Sequence, residues 1–140
     1  MDAGWVALAI TLAFGLALWA VSRVYRAWLA RTSDYAELLA RHGLPRDERP
    51  LVLGFTADDC LPCKTQQHPA LERLRTRIGD AADIREVEAL QQAELAQRFG
   101  VLTVPTTVVL DQRRRIVAIN YGVASAEKLA GQVMPLINRR

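Results

Sequence analysis

The chain begins with a long uncharged apolar run and continues with short apolar segments separated by charged ones. Residues 4–21 contain no charged side chain, and a helix of this length spans about 27 Å, close to the roughly 30 Å hydrocarbon core of a bilayer. Trp5 and Trp19 lie near its two ends, where indole rings favour the membrane interface. The pattern predicts one N-terminal transmembrane helix, with residues 1–31 forming an anchor and a juxtamembrane collar.

Two other interpretations of this apolar segment are less well supported. A buried core helix is usually shorter and carries a polar stripe, which residues 4–21 lack. A signal peptide usually begins with basic residues, whereas Asp2 follows the first methionine here. A cleavage site before Ser22 would need small residues where the chain has Leu18 and Trp19. We therefore predict a retained anchor.

The charges that flank the span bear on its orientation. Arg23, Arg26 and Arg31 follow it, while no lysine or arginine precedes it. Because positive charge is usually retained on the cytoplasmic side, we expect the C-terminal part of the chain in the cytoplasm, with the opposite orientation left open. The side matters chemically, since cytoplasmic dithiols are normally kept reduced and outward-facing ones meet an oxidising space.

Between the anchor and the next apolar run, residues 32–50 are predicted to form a short helix and a polar linker. Thr32 or Ser33 has the side chain of a helix cap, so a new helix is expected to start there. Gly43 and Pro45 are expected to end it, because glycine terminates helices and proline does not continue them. The charged residues that follow complete the linker.

The remaining residues, 51–140, alternate between apolar runs and amphipathic segments. Strands are predicted at residues 51–57, 84–88, 106–111 and 115–120, and helices at residues 61–78, at residues 91–99 and after a cap at Ser125. Pro135 is expected to kink the last helix or end it early. The two strand–helix–strand units predict parallel strands, and the final hairpin adds an antiparallel one. The expected fold is α/β, with a four-stranded mixed sheet flanked by helices.

Composition and charge narrow the range of functions. The chain has 140 residues, enough for one modest domain beyond the anchor. Its net charge is only +3, so no nucleic-acid partner is expected. Three consecutive arginines occupy residues 113–115, and we interpret them as the polar tip of a hairpin.

The chemistry of the chain is concentrated in its only two cysteines, Cys60 and Cys63, in the sequence Cys-Leu-Pro-Cys. They lie at a predicted strand-to-helix junction, where unpaired N–H groups and the helix dipole favour a thiolate over a thiol. Pro62 fits the first helical turn, because its missing N–H leaves no bond unmade there. This spacing predicts a dithiol that opens and closes reversibly. A static structural disulfide or two inert thiols are the alternatives.

No cofactor or metal is expected at this site. The two cysteines would carry the electrons of thiol–disulfide exchange themselves. A zinc site would need Cys60 and Cys63 together with His68 and His42, but these four do not have the spacing of a zinc motif. His68 follows Cys63 by five residues and should lie on a different face of the helix, as a solvent-facing or capping residue.

Three features together resemble the thioredoxin family. Residues 55–64 resemble its active-site segment, residues 99–106 resemble its second signature, and Gly122 stands where the family has a glycine after the last strand. The likeness runs over residues 51–137. It implies a thioredoxin-like fold, with Cys60 as the nucleophile and Cys63 as the resolving thiol.

The same resemblance implies further site residues and partners. The Val104–Pro105 bond would be cis, which leaves the backbone of Val104 to pair with an extended substrate segment. Partners would be protein disulfides and dithiols or another redox protein. The residues expected to support the active site are Pro62, Val104, Pro105, Asp59 and Lys64.

The chain also departs from the family pattern. Gly54 replaces a buried aspartate that assists the resolving cysteine, and Glu86 replaces a lysine on the next strand. Asp59 replaces the tryptophan before the first cysteine, and Leu61 replaces a glycine. Pro69, which corresponds to a helix-kinking proline, lies one residue later than usual. These changes alter the expected proton-transfer groups and docking surface.

Local charges act in both directions on the nucleophile. Asp58 and Asp59 should oppose thiolate formation at Cys60, whereas the helix N-terminus and Lys64 should favour it. The residue pair between the cysteines tunes the reduction potential in the thioredoxin family, so the redox behaviour of this chain is left open.

Three functional hypotheses follow. The first is a membrane-anchored thiol–disulfide oxidoreductase that acts on protein disulfides. The second is a docking module that keeps the thioredoxin fold with a structural or vestigial cysteine pair, as the missing aspartate and tryptophan would allow. The third is a thiol carrier for cytochrome or metalloprotein assembly on the outer face of the membrane, which requires the opposite orientation.

Overall fold

The computed structural model describes residues 3–44 and 48–138, with the side chains of all of these except residues 3 and 28–34. The chain divides into two compact units, Met1–Asp34 and Tyr35–Arg140. Its elements in chain order are α1 (Ala3–Arg41), β1 (Leu51–Thr56), a π turn (Cys63–Gln67), α2 (His68–Ile78), a 3₁₀ turn (Gly79–Ala81), β2 (Asp83–Glu88), α3 (Ala93–Arg98), β3 (Thr106–Leu110), β4 (Ile116–Tyr121) and α4 (Ala126–Ile137).

The first unit is helical. Its segment Gly4–Ala27, part of α1, has a mean hydropathy of 2.0 over its most apolar window, and no part of that window is buried within the molecule. An apolar helix of this length is suited either to cross a membrane or to serve as a signal sequence.

The helix α1 is continuous where the sequence pattern predicted a new start. Thr32 and Ser33 lie inside it rather than at its beginning. The physical reason is that a side chain able to cap a helix does not by itself end the helix that precedes it. Ending a helix usually requires a residue that disfavours helical backbone, such as proline or glycine. No glycine or proline occurs between residues 16 and 42 of the sequence. The helix ends before Gly43, whose φ of 70° is left-handed. Pro45, the second predicted stop, lies outside the described residues, as do residues 46 and 47 of the predicted linker.

The predicted four-stranded mixed sheet is confirmed, and its strand order is β2-β1-β3-β4. The strands β1 and β2 are parallel, while β1–β3 and β3–β4 are antiparallel. The prediction that the second strand–helix–strand unit gives a parallel strand is therefore wrong. The register pairs Thr106, at the start of β3, with Phe55, near the end of β1. It also pairs Glu88, the last residue of β2, with Thr56. The connection through α3 therefore begins and ends at the same edge of the sheet, and β3 runs back antiparallel to β1.

Two apolar clusters cover the two faces of the sheet. On one face, α2 and α4 pack against Val52 and Val109. On the other face, residues 35–41 and α3 pack against Leu51, Leu53 and other inward residues of the sheet. Neighbouring residues of β1 thus point to opposite clusters, as the alternation of a strand requires.

The end of α1 contributes directly to the second cluster. Leu38 and Leu39 are each 1% exposed, and Tyr35 stacks on Phe99 with ring centroids 4.9 Å apart. Burial of each leucine is worth about 1.5–3 kcal/mol. The compact unit therefore starts at Tyr35, whereas the sequence pattern placed the beginning of the domain at residue 51.

The last helix begins as predicted but does not stop early. The hydroxyl of Ser125 accepts a hydrogen bond from the N–H of Lys128 at 3.1 Å. Pro135 was expected to kink α4 or end it, yet the helix continues to Ile137. Because Pro135 lies in the last turn, it removes only one intrahelical hydrogen bond, and the buried side chain of Leu136 holds that turn against the core.

Candidate active site

The two cysteines form a disulfide just after β1, at the entrance to the helix that follows. The Cα atoms of Cys60 and Cys63 are 5.3 Å apart. The Cys60 N–H donates to the carbonyl of Ala57 at 3.1 Å, which closes the turn between the strand and the helix. Cys60 is half-buried, whereas Cys63 is only 3% exposed. An incoming group can therefore reach Cys60 more readily than Cys63.

The helix end also provides polar support for the outer sulfur. The N–H of Cys63 points at the Sγ of Cys60 at 3.2 Å. A donor at this place and the positive end of the helix dipole are the features that favour a thiolate over a thiol. Pro62 lies in this first turn, where N–H groups have no acceptor within the helix, so its lack of an N–H removes no helical hydrogen bond.

Two of the predicted support residues, Asp59 and Lys64, flank the cysteines along the chain. Asp59 and Lys64 are exposed, and the N–H of Lys64 donates to the carbonyl of Cys60 at 3.3 Å. Leu61, between the cysteines, is 68% exposed. The disulfide thus lies among exposed groups of both charge signs and one large apolar side chain.

The second signature forms a loop before β3. The Val104–Pro105 bond is cis, Val104 is half-buried and Pro105 is buried. The carbonyl of Pro105 accepts a hydrogen bond from the N–H of Gly122 at 2.9 Å. This bond joins the loop before β3 to the connection between β4 and α4.

An apolar groove of about 340 Å³ lies between the end of β1, α3 and the loop before β3. Two of its lining side chains are strongly exposed, Leu90 at 82% and Leu102 at 85%. Ala57 and Val104 also line it, so the groove connects the turn before Cys60 with the cis-proline loop. It offers apolar contact area close to the disulfide.

The helix after the disulfide starts with the π turn, which the sequence pattern did not predict. The N–H of His68 donates to the carbonyl of Cys63, five residues back. Such a turn accommodates one residue more than an α-helical turn. This accounts for the position of Pro69, one residue later than in the family pattern. The displaced proline was the signal in the sequence from which the π turn could have been inferred.

The histidines considered and rejected as metal ligands have separate partners. The Nδ1 of His68 lies 2.7 Å from Oε1 of Glu86, and the Nε2 of His42 lies 3.4 Å from Oε2 of Glu94. His68, Glu72 and Glu86 form an exposed group whose ligand atoms lie within 4.8 Å of one another. The structure does not bring His42 and His68 together with the cysteines.

Gly54 stands where the family has a buried aspartate, and a neighbouring side chain occupies the space beside it. Gly54 is buried in β1, and a Cβ atom there would lie 2.8 Å from Cδ1 of Leu71 and 3.7 Å from Cγ of Glu86. Glu86 is the register partner of Gly54 on β2. The space that would hold a carboxyl group below the helix is therefore occupied by the side chain of Leu71.

The chain is similar to known proteins in sequence and in fold. Thioredoxin-1 of Drosophila melanogaster is 29% identical over 91 residues, which cover 65% of this chain and 82% of that protein. The thioredoxin of Bacillus subtilis is 35% identical over 63 residues, which cover 45% of this chain and 60% of that protein. The solved structure of the germline-specific thioredoxin Deadhead from Drosophila melanogaster superposes with a TM-score of 0.57 at 28% identity, covering 65% of this chain and 84% of that one.

The family model of thioredoxin matches residues 30–134, which include the disulfide, the cis-proline loop and all four strands. The thioredoxin relatives and the paired cysteines support thiol–disulfide oxidoreductase activity. Since the match covers more than half of the chain, this protein belongs to the thioredoxin family.

Proposed function

We propose that this chain is a membrane-anchored thiol–disulfide oxidoreductase that acts on protein disulfides through Cys60 and Cys63. The observation that supports this best is the asymmetry of the pair. Cys60 is half-buried and its Sγ lies 3.2 Å from a backbone donor, while Cys63 is 3% exposed. One thiol is thereby placed for attack on a partner and the other for release of that partner.

In the reduced chain, the Cys60 thiolate attacks one sulfur of a partner disulfide. An S–S bond forms between Cys60 and the partner, and the partner's other sulfur leaves as a thiolate that takes a proton from water. Cys63 then loses its proton to solvent and attacks the Sγ of Cys60, which restores the Cys60–Cys63 disulfide and releases the second partner thiolate. Two electrons pass to the partner, and the reverse sequence oxidises a partner dithiol.

Protein partners suit the surface around the disulfide. The exposed side chains of Leu61, Leu90 and Leu102 would pack against an extended segment that carries the partner's disulfide. The groove of about 340 Å³ beside them would take one apolar side chain of that segment. The backbone of Val104, at the rim of this groove, is then in a position to pair with the segment.

A redox titration tests the proposed activity. We expect full-length protein in detergent micelles, equilibrated in graded thiol–disulfide buffers, to show one reversible two-electron couple between about −270 and −120 mV. A value near the lower end would indicate a reductant, and one between about −180 and −120 mV an oxidant or isomerase. Alkylation followed by mass spectrometry gives the oxidised fraction. Absence of a reversible couple would contradict the proposal and favour the docking module.

The anchor is the second part of the proposal. Its support is the apolar helix Gly4–Ala27, which is unburied within the molecule, and the acidic rather than basic residue before it. Arg23, Arg26 and Arg31, which follow the uncharged residues 4–21, favour a cytoplasmic position for the catalytic domain. A tether of this kind raises the local concentration of the dithiol near partners at the membrane surface.

Deletion of residues 4–27 is expected to move the protein from the membrane fraction to the soluble fraction while the redox couple is retained, because the disulfide and its surroundings lie in Tyr35–Arg140. The intact mass of the untruncated protein recovered from membranes is the control. A retained N-terminus supports an anchor, whereas a chain shortened near residue 22 contradicts it in favour of a signal sequence. A reporter enzyme fused after residue 140, active on one side of the membrane only, tests the orientation.

A further inference from the structure

Gln67 is buried beside the redox site although glutamine is a polar residue. It is the last residue of the π turn that starts at Cys63, and these two are the buried residues of that turn. Because a π turn contains about 4.4 residues, residues four apart lie nearly above one another. Gln67 therefore lies directly behind Cys63 on the inner face of the helix.

The amide group of Gln67 forms two hydrogen bonds with a single residue of another segment. Its Nε2 donates to the carbonyl of Ala124 at 3.1 Å, and its Oε1 accepts from the N–H of Ala124 at 2.8 Å. Gln67 is 3% exposed and Ala124 is fully buried. Hydrogen bonds made away from water are costly to lose, because each leaves an unsatisfied buried group. This amide pair fixes the position of Ala124 relative to the helix of the disulfide.

Ala124 belongs to the connection between β4 and α4, residues 122–125, which also reaches the cis-proline loop. The N–H of Gly122, two residues before Ala124, donates to the carbonyl of Pro105 at 2.9 Å. Val123 lies between these two attachment points and is 43% exposed. One short segment is thus bonded to the helix after Cys63 at one end and to the cis-proline loop at the other.

We propose that Gln67 is a positioning residue for protein substrates. By holding the connection at residues 122–125 against the helix of the disulfide, it sets the distance between Cys60, the cis-proline loop and Val123, the three places that a bound segment would touch. The inference rests on the proposed action on protein disulfides. It concerns docking and not the exchange step, so a small disulfide that touches only Cys60 should not depend on it.

The test compares two disulfides on the full-length protein in micelles. Gln67→Met keeps the length of the side chain and removes both hydrogen bonds. With dithiothreitol supplied to reduce the Cys60–Cys63 disulfide after each cycle, we expect kcat/KM for reduction of insulin, a protein disulfide, to fall about tenfold, mainly through a higher KM. We expect the rate with 2-hydroxyethyl disulfide to stay within about twofold of the unsubstituted protein. A purely structural role would lower both rates together or neither.

The chain offers a control in a second amide pair, in which Asn120 is buried and Gln132 is half-buried. Asn120 and Gln132 exchange two hydrogen bonds of 2.9 Å each between β4 and α4. Gln132→Met removes the same number of bonds without touching residues 122–125. We expect this variant to keep the ratio of insulin to 2-hydroxyethyl disulfide activity. An equal decrease of that ratio in Gln67→Met and Gln132→Met would overturn the positioning role.

Two further outcomes separate failure of this inference from failure of the proposed function. If Gln67→Met does not fold, Gln67→Asn is the second variant. It keeps the amide but is one methylene shorter, so it does not reach both the N–H and the carbonyl of Ala124. The ratio of insulin to 2-hydroxyethyl disulfide activity is then measured on this variant. An unchanged ratio in a folded variant overturns the inference while the proposed function stands. If the unsubstituted protein reduces 2-hydroxyethyl disulfide but not insulin, the protein-substrate proposal fails and the role of Gln67 fails with it.

Discussion

Cys63→Ser is expected to accumulate mixed disulfides with partner proteins through Cys60, while Cys60→Ser accumulates none. The reason is the difference in exposure, because Cys60 is half-buried at the surface and Cys63 is 3% exposed behind it. Without Cys63 the first exchange proceeds and the release step does not. Turnover of protein disulfides should fall about a thousandfold or more in both variants. Non-reducing gels and mass spectrometry of the trapped adducts give the measurement.

Two controls make this result specific. The adducts should disappear on treatment with dithiothreitol, and the variant that lacks both thiols should form none. A serine hydroxyl occupies nearly the same space as a thiol, so the fold should be retained and can be checked by circular dichroism. Adducts formed mainly by Cys60→Ser, through Cys63, would reverse the assigned roles. Partner binding unchanged in all three variants and without any covalent adduct would instead indicate a docking module.

Local sequence patterns were sufficient to locate the disulfide and most of the fold. The apolar run that ends at Thr56, followed by two cysteines and a proline suited to a first helical turn, places Cys60 at a strand-to-helix junction without reference to distant residues. The continuous apolar run of β1 and the cap at Ser125 are equally local. Features of this kind depend on residues that are close in sequence, so they can be predicted from the sequence alone.

The direction of β3 could not be predicted in this way. It depends on the edge of the sheet to which the connection through α3 returns, and on which strand lies next to β3. The sequence pattern predicted a helix at residues 91–99, and the structure has one at Ala93–Arg98, but a helix by itself does not determine the direction of the strand after it. Here β3 starts beside Phe55 and runs antiparallel to β1. Strand order is a long-range property, and hydrophobic periodicity carries little information about it.

The burial of Gln67 escaped prediction for a different reason. Gln67 lies four residues after Cys63 and four before Leu71, so a regular helical period already places it on the inner face. Its residue type hid this position, because a buried amide is expected only where hydrogen-bond partners satisfy it. Those partners are the N–H and the carbonyl of Ala124, 57 residues along the chain, and local periodicity carries no information about them.

The replacement of the family's buried aspartate by Gly54 gives the second large expected effect. A Cβ atom at this position would lie 2.8 Å from Cδ1 of Leu71, below any normal contact distance. Gly54→Ala should therefore lower the free energy of unfolding by about 1–2 kcal/mol. Gly54→Asp should lower it by about 3 kcal/mol or more, since it also buries a carboxyl group next to Glu86, its register partner. Urea unfolding followed by circular dichroism measures both, because all tryptophans lie outside Tyr35–Arg140.

A double-mutant cycle with Leu71→Ala separates crowding from other effects of the new side chain. Leu71 is 1% exposed, so its truncation alone should cost about 2–5 kcal/mol by leaving a cavity. In that background, Gly54→Ala should cost nothing or restore part of the loss, because its methyl group enters the vacated space. The two changes should then be coupled by about 1 kcal/mol or more. Additive losses would show that Leu71 does not fill the space below the active-site helix, and that the absence of a carboxyl group there has another cause.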